Sequence, residues 1–309
     1  MQVQPEARGV ELTVLSAMAG WDFDHAAEQM REWDLSWVDL WGEIYGEPID
    51  ALSQAAAERA AATLEAADLT AHCLASRIFD DTVEIGEEAF REKHLAALDR
   101  ALASARILRP KYVRLIAGRF STVSPGGSNV GALKRDFPWV AAAYREAVDR
   151  ILDAGFLPTI ENEADSCFLA TPQEFIEFFD WLAAPIPRIG TWDIQNAWKM
   201  GSFPTVEGYK SMRDILGYVH TKGGQAERGS SDLKWNVGLA DASWPVAQII
   251  QAVVDDAVSP VICLNPSHGE PKPGYDYGLS PLDPADYPNM VPMTKRDLDY
   301  LRSTVRGIN

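Results

Sequence analysis

Four short strings place metal-binding and proton-transferring side chains at comparable points along the chain. TIENEAD carries Glu161 and Glu163, WDIQNAW carries Asp193 and Asn196, YVHTKGG carries His220 and Lys222, and ICLNPSHGE carries Asn265 and His268. Earlier segments add Glu43 in LWGE, His72 in AHC, and Arg114 with Arg119 in VRLIAGR. Taken singly, each has a plain structural explanation. Glu161 can be a salt-bridged carboxylate, Asp193 a helix cap, His220 a satisfied buried group and His268 a loop residue. Taken together on successive segments, Glu161, Asp193 and His220 make the donor set of an open divalent site. Carboxylate oxygen with imidazole nitrogen suits Mn²⁺, Zn²⁺, Co²⁺ or Fe²⁺ better than Ca²⁺. Such a site polarises a carbonyl and leaves proton removal to a nearby base. His268 is the first acid/base candidate, because a free imidazole titrates near neutrality; His72 and Glu163 are the reserves. His25 and His94 fall on predicted helices and are set aside.

These strings need a scaffold that brings strand ends together, and the rest of the chain supplies its pattern. Short β-branched runs alternate with amphipathic, Ala-rich stretches. The spacing predicts strands at Glu11–Ser16, Trp37–Trp41, Leu69–Ala75, Tyr112–Ala117, Leu157–Glu161, Gly190–Ile194, Gly217–His220 and Pro260–Leu264. Helices are expected at Asp24–Glu32, Asp50–Ala67, Glu87–Leu108, Pro138–Ala154, Pro172–Leu182, Val206–Leu216, Trp244–Asp256 and Lys295–Val305. Thr171-Pro172-Gln173-Glu174 reads as a capping box with proline at the first helical position. Thr294 with Asp297 reads as a second such start, and Gly155 as a left-handed stop.

Eight strand–helix units in series predict a single (β/α)8 TIM barrel over residues 1–309, with its site at the C-terminal ends of the strands. No glycine-rich nucleotide motif follows any strand, which removes the usual open-sheet alternative. Three long connections, Gly118–Phe137, Gly223–Ser243 and the proline-rich Gly269–Met293, fall on the catalytic face. Loops of that length suit lids or a docking rim.

Composition excludes other classes. The 309 residues hold 28 Lys+Arg against 45 Asp+Glu, a net charge of −17 that argues against nucleic acid or an anionic membrane as partner. Three dispersed cysteines, Cys73, Cys167 and Cys263, make no disulfide framework, and the N-terminus lacks a signal-peptide pattern. A cytoplasmic location is expected.

The strings IENE, WDIQN, YVHTKGG and ICLNPSHG together resemble the sugar-phosphate isomerase/epimerase group, the xylose-isomerase-like TIM barrels. The resemblance runs from the first strand to the last. It implies one divalent ion, Mn²⁺ first and Zn²⁺, Co²⁺, Fe²⁺ or Mg²⁺ otherwise, held by Glu161, Asp193 and His220. Lys222 matches a lysine that often follows the histidine by two and joins the catalytic candidates, while Gly223 replaces the usual aspartate. At the fourth ligand position the group has glutamate and this chain has Asn265, which can ligate through its carbonyl but cannot act as a base. That departure disfavours two-base epimerisation and favours one-base enolate chemistry ending in β-elimination. Within the group the chain resembles the large subunit of bacterial C-glycoside deglycosidases, which act on 3-oxo-glycosides. This implies a carbohydrate or glycoside substrate and a small β subunit or a homo-oligomer. Trp41, Glu43, Arg114, Asn196 and Trp198 are the substrate-binding candidates, with Trp192 a further aromatic near a strand end. A sugar isomerase or epimerase is the alternative, and a non-catalytic binding subunit the second.

Overall fold

Each of the eight β-rich runs forms a strand, and the order in which they pair is the order in which they occur. The computed structural model describes residues 9–121, 127–226, 233–234, 237–265 and 290–309. The strands are β1 (Glu11–Val14), β2 (Trp37–Leu40), β3 (Thr70–Leu74), β4 (Tyr112–Ile116), β5 (Leu157–Glu161), β6 (Gly190–Asp193), β7 (Leu216–Thr221) and β8 (Val261–Leu264). They pair in parallel around one eight-stranded sheet, β1-β8-β7-β6-β5-β4-β3-β2, and a parallel bridge between Leu15 and Asp39 joins its two edges. This is the single (β/α)8 barrel that the alternation predicts. No helix among the described residues is long and apolar enough to cross a membrane.

Register decides what faces the barrel axis. Side chains alternate along a strand, so a residue and its paired neighbour share a face. Asp193 pairs with His220, His220 pairs with Cys263, and Glu161 pairs with Thr191, two positions before Asp193. Glu161, Asp193 and His220 therefore form one inward layer at the C-terminal ends. One pleat deeper, Thr159 and Thr191 hydrogen-bond to each other. Tyr112 and Tyr218 stack there with centroids 6.0 Å apart, and His72 packs edge-on between them and Trp37.

The helices of the outer layer are α1 (Phe23–Glu32), α2 (Gln54–Ala66), α3 (Glu87–Leu108), α4 (Asn129–Asp136), α5 (Trp139–Asp153), α6 (Pro172–Leu182), α7 (Ile194–Lys199), α8 (Val206–Met212), α9 (Val246–Asp255) and α10 (Met290–Thr304). The capping box at Thr171 forms in full, and Gly155 ends α5 at φ +88°. Elsewhere local chemistry moves the boundaries. Asp50 belongs to a separate 3-10 turn, because Ser53 caps α2 by accepting the Ala56 N–H at 3.2 Å. The start expected at Thr294 is displaced. α10 already runs from Met290, Pro292 lies in its first turn where a missing N–H costs nothing, and Thr294 Oγ1 donates back to the Met290 carbonyl at 2.9 Å. Asp297 instead accepts the Leu239 N–H at 2.9 Å. Two short helices interrupt stretches expected to be irregular: α4 inside the loop after β4, and α7 directly after β6.

Candidate metal centre

Asp193 shows how the local sequence builds the site. It ends β6 and is at the same time the N-cap of α7, with Oδ1 accepting the Asn196 N–H at 2.9 Å. One oxygen is thus used by the fold, and Oδ2 is left to the barrel mouth. There it meets Lys222 Nζ at 2.8 Å and Asn265 Nδ2 at 3.4 Å. The Asn162 side chain, on the neighbouring turn, brackets the Asp193 backbone by donating to its carbonyl (3.0 Å) and accepting its N–H (2.8 Å).

Glu161 is 1% exposed and divided in the same way. Oε2 takes Arg114 Nη1 at 2.6 Å, and Oε1 lies 2.9 Å from His220 Nδ1. Arg114 also donates to the carbonyls of Ala75 (2.8 Å) and Ser76 (3.1 Å), so its guanidinium is committed to holding Glu161 against β3. Burial works against the ionised carboxylate, but His220 and Arg114 outweigh it and hold Glu161 below the usual range. Burial likewise works against a charged His220, and Glu161 and Asp39 outweigh it, raising the imidazole to about 9. Glu163 departs in the other direction. Burial, with Glu161 adding to it and Lys222 opposing, raises its carboxyl above the ordinary value. Its Oε1 accepts Asn196 Nδ2 and the Ala164 N–H, both at 2.9 Å.

The donor set fits a divalent ion. One atom each from Glu161, Asp193 and His220 lies within 4.8 Å of the others. Both ring nitrogens of His220 are buried without a hydrogen-bond partner, although Nδ1 is only 2.9 Å from Glu161. Two atoms that close yet not aligned as donor and acceptor are spaced as co-ligands. Bonds of about 2.1 Å at right angles put ligand atoms about 3 Å apart. These residues would hold the ion; Asn265 reaches Asp193 Oδ2 with its amide nitrogen, and the amide turned over would present its carbonyl oxygen to the same place.

The remaining sequence-derived candidates fall in different places. Lys222, Glu163, Asn196 and Asn265 join the cluster. His72 is fully buried in the aromatic layer one pleat below. Trp41 is half-buried, with its backbone held by Ser16 Oγ, and Glu43 is exposed in the two-residue hairpin after β2. Arg119 pairs with Asp80. His268 lies outside the described residues. One tryptophan requires correction as a site aromatic. Trp192 precedes Asp193 and so faces outward, stacking on Tyr209 of α8 with centroids 6.4 Å apart. Trp198 is 1% exposed in the core, edge-on to Phe203. Gly223 has a structural reason: a Cβ there would fall onto the Val237 carbonyl, and its own carbonyl accepts from Gln195.

The sequence reading missed Asp39, Asn162 and Tyr218. Asp39 carried a usable signal, a carboxylate inside the otherwise apolar strand WVDL, where burial is costly without partners.

No protein-family model and no curated protein matches the sequence. Solved structures match over nearly the whole chain. A D-psicose 3-epimerase solved in the presence of D-fructose superposes with TM-score 0.68 at 14% identity, over 95% of this chain and 99% of that one. The probable 3-DHS dehydratase AsbF from Bacillus anthracis gives TM-score 0.65 at 15% identity, over 95% and 98%. A xylose isomerase-like TIM barrel protein from Mycobacterium smegmatis, in complex with magnesium, gives 0.64 at 14%, over 98% of each chain. The chain therefore shares its (β/α)8 barrel fold with these proteins.

Proposed function

We propose that this chain is a divalent-metal-dependent enzyme that moves a proton α to the carbonyl of a sugar, most specifically a lyase acting on a 3-oxo-glycoside by β-elimination. The observation that carries the reading is the convergence of Glu161, Asp193 and His220 donor atoms within 4.8 Å at three consecutive strand ends, with both His220 nitrogens unsatisfied. The fold is one shared by an epimerase and a probable dehydratase.

Glu161, Asp193 and His220 would hold the ion, Mn²⁺ by preference, with Asn265 as a fourth, neutral neighbour. When bound, it supplies Lewis acidity toward the substrate carbonyl and an adjacent hydroxyl. Glu163, with its affinity for protons raised and its carboxyl oriented by Asn196, takes the α-proton. The carbon–hydrogen electron pair becomes the new double bond, and the bond to the leaving group breaks. Lys222, whose ammonium is kept charged by Asp193 and Glu163 against its burial, returns a proton to the departing group. His268 is the alternative base. Arg114 fixes Glu161, its guanidinium shared between that carboxylate and the Ala75 and Ser76 carbonyls. Asn265 directs this reading toward elimination, because a neutral amide cannot take or return a proton on the opposite face.

Epimerisation or isomerisation is the second reading, favoured by the placement of two proton-transferring groups, Glu163 and Lys222, just past β5 and β7 on either side of Asp193. Metal content and turnover test the assignment. About one ion per chain, lost in Asp193→Asn, together with release of the aglycone from an oxidised glycoside, is expected. Deuterium incorporation from D₂O without release selects the isomerase reading. No ion taken up from Mn²⁺ or Zn²⁺ sinks both and leaves a binding subunit. A small β subunit completing the long loops is tested by restoring activity to an inactive isolated chain with a co-encoded neighbour.

A further inference from the structure

Asp39 is the least expected charge in the barrel. It sits in β2 between Val38 and Leu40, both 0% exposed, and is itself 0% exposed. Among the described residues no lysine or arginine pairs with it; its ionic neighbours are two imidazoles. Oδ2 accepts the Tyr218 hydroxyl at 2.8 Å and lies 3.5 Å from His220 Nε2, while Oδ1 lies 3.4 Å from His72 Nδ1. A lone buried carboxylate is expensive and is kept only where its partners use it.

The geometry on His220 shows the use. Its two nitrogens face different groups, Nδ1 lying 2.9 Å from Glu161 Oε1 and Nε2 3.5 Å from Asp39 Oδ2. Neither contact is an aligned hydrogen bond, so a small rotation of the ring decides which is made. A neutral imidazole has one N–H and one lone pair, and the group hydrogen-bonded to one nitrogen decides which is free to ligate. Tyr218 is two residues before His220 on β7, so the register that turns His220 inward also turns the hydroxyl that anchors Asp39. The carboxylate, its anchor and its target are thus fixed by two strands.

We propose that Asp39 is a positioning residue that holds His220 as the Nε2–H tautomer, leaving Nδ1 as the ligand atom toward Glu161 and Asp193. The inference rests on the metal reading above. It concerns a strand on the far side of β1 and β8 from the ligand histidine.

Protein labelled with ¹⁵N-histidine and titrated with Zn²⁺ tests it, with His220 assigned by the resonance lost in His220→Gln. The zinc-bound protein is expected to show His220 protonated at Nε2 and metal-shifted at Nδ1. In Asp39→Asn, Zn²⁺ affinity is expected to fall about 10- to 100-fold, with the two His220 tautomers mixed. Tyr218→Phe is expected to shift both readouts the same way by less. Metallation at Nε2 in the wild-type protein overturns the proposal, as does unchanged affinity in a folded Asp39→Asn. Two zinc ions per wild-type chain with one lost in Asp39→Asn overturns it too, because Asp39, His220 and Cys263 would then be ligands of a second ion. If Asp39→Asn does not fold, the wild-type tautomer decides. Absence of zinc binding by the wild-type protein defeats the metal reading itself, whereas the other failures leave that reading intact.

Discussion

Two buried histidines, one at the barrel mouth and one in the helical layer, are driven in opposite directions. His220 is raised to about 9 and His94 lowered to about 4. Burial pushes both rings toward the neutral form, so the difference lies in what faces them. His220 is enclosed by Glu161 and Asp39, two carboxylates brought in by separate strands. His94, on α3, has Lys93 beside it and only the partly exposed Asp81 at 3.7 Å, while its Nδ1 accepts the Phe79 N–H at 3.0 Å. One ring is set among anions, as a cation or a metal ligand; the other is a neutral acceptor that ties a loop to a helix. The lesson is that burial alone does not mark a functional histidine. The facing charge does.

The sharpest way to break this contrast is to remove an anion at the mouth. Glu161→Gln is expected to cost more than about 100-fold in Mn²⁺ or Zn²⁺ affinity, since even indirect partners are worth 10- to 100-fold. Isothermal titration of the folded variant checks it, and near-native affinity would mean the cluster is only an ion-pair network. Lys222→Met tests the cation. Lys222 competes with an ion for Asp193, so metal affinity is expected to hold or rise while turnover falls about 10²- to 10⁴-fold. A parallel loss of both would deny Lys222 a role in proton transfer.

At His94 the prediction concerns stability. Its folded-state value of about 4 lies below the unfolded 6.5, so the unfolded chain binds the extra proton as pH drops. Stability present above pH 6.5 is expected to be lost progressively down to pH 4, by at most about 3.5 kcal/mol. Denaturant melts of wild type and His94→Asn, whose amide oxygen can replace Nδ1, should converge in acid. Metal-free His220 has the reverse sign. Its contribution is full below pH 6.5 and fades as pH rises through 9. A metal-free protein whose stability does not decline between pH 6.5 and 9 would contradict the mouth geometry. The smallest expected effect is Thr171→Ala, about 1 kcal/mol for the lost cap of α6, with turnover unchanged.

Much of this was legible in the chain. Strand ends could be read from β-branched runs, and the ligand candidates from carboxylates and an imidazole at those ends, because strand formation and side-chain parity are local. Parity also placed Trp192 on the outer face, one residue from Asp193, although its aromatic character first suggested a site. Short helices were harder: α7 has only six residues and begins on a residue that also serves the site.

By itself, the sequence determined eight parallel strands, their order, and an inward layer of Glu161, Asp193 and His220, since alternation and chirality leave few other arrangements. The tertiary structure decided the rest. It committed the Arg114 guanidinium to Glu161 and two carbonyls, set Asp39 against His220 from a strand 181 residues earlier in number (220 − 39), and buried Trp198. Those outcomes depend on distances across a closed barrel, and no local pattern encodes a distance between residues that only closure brings together.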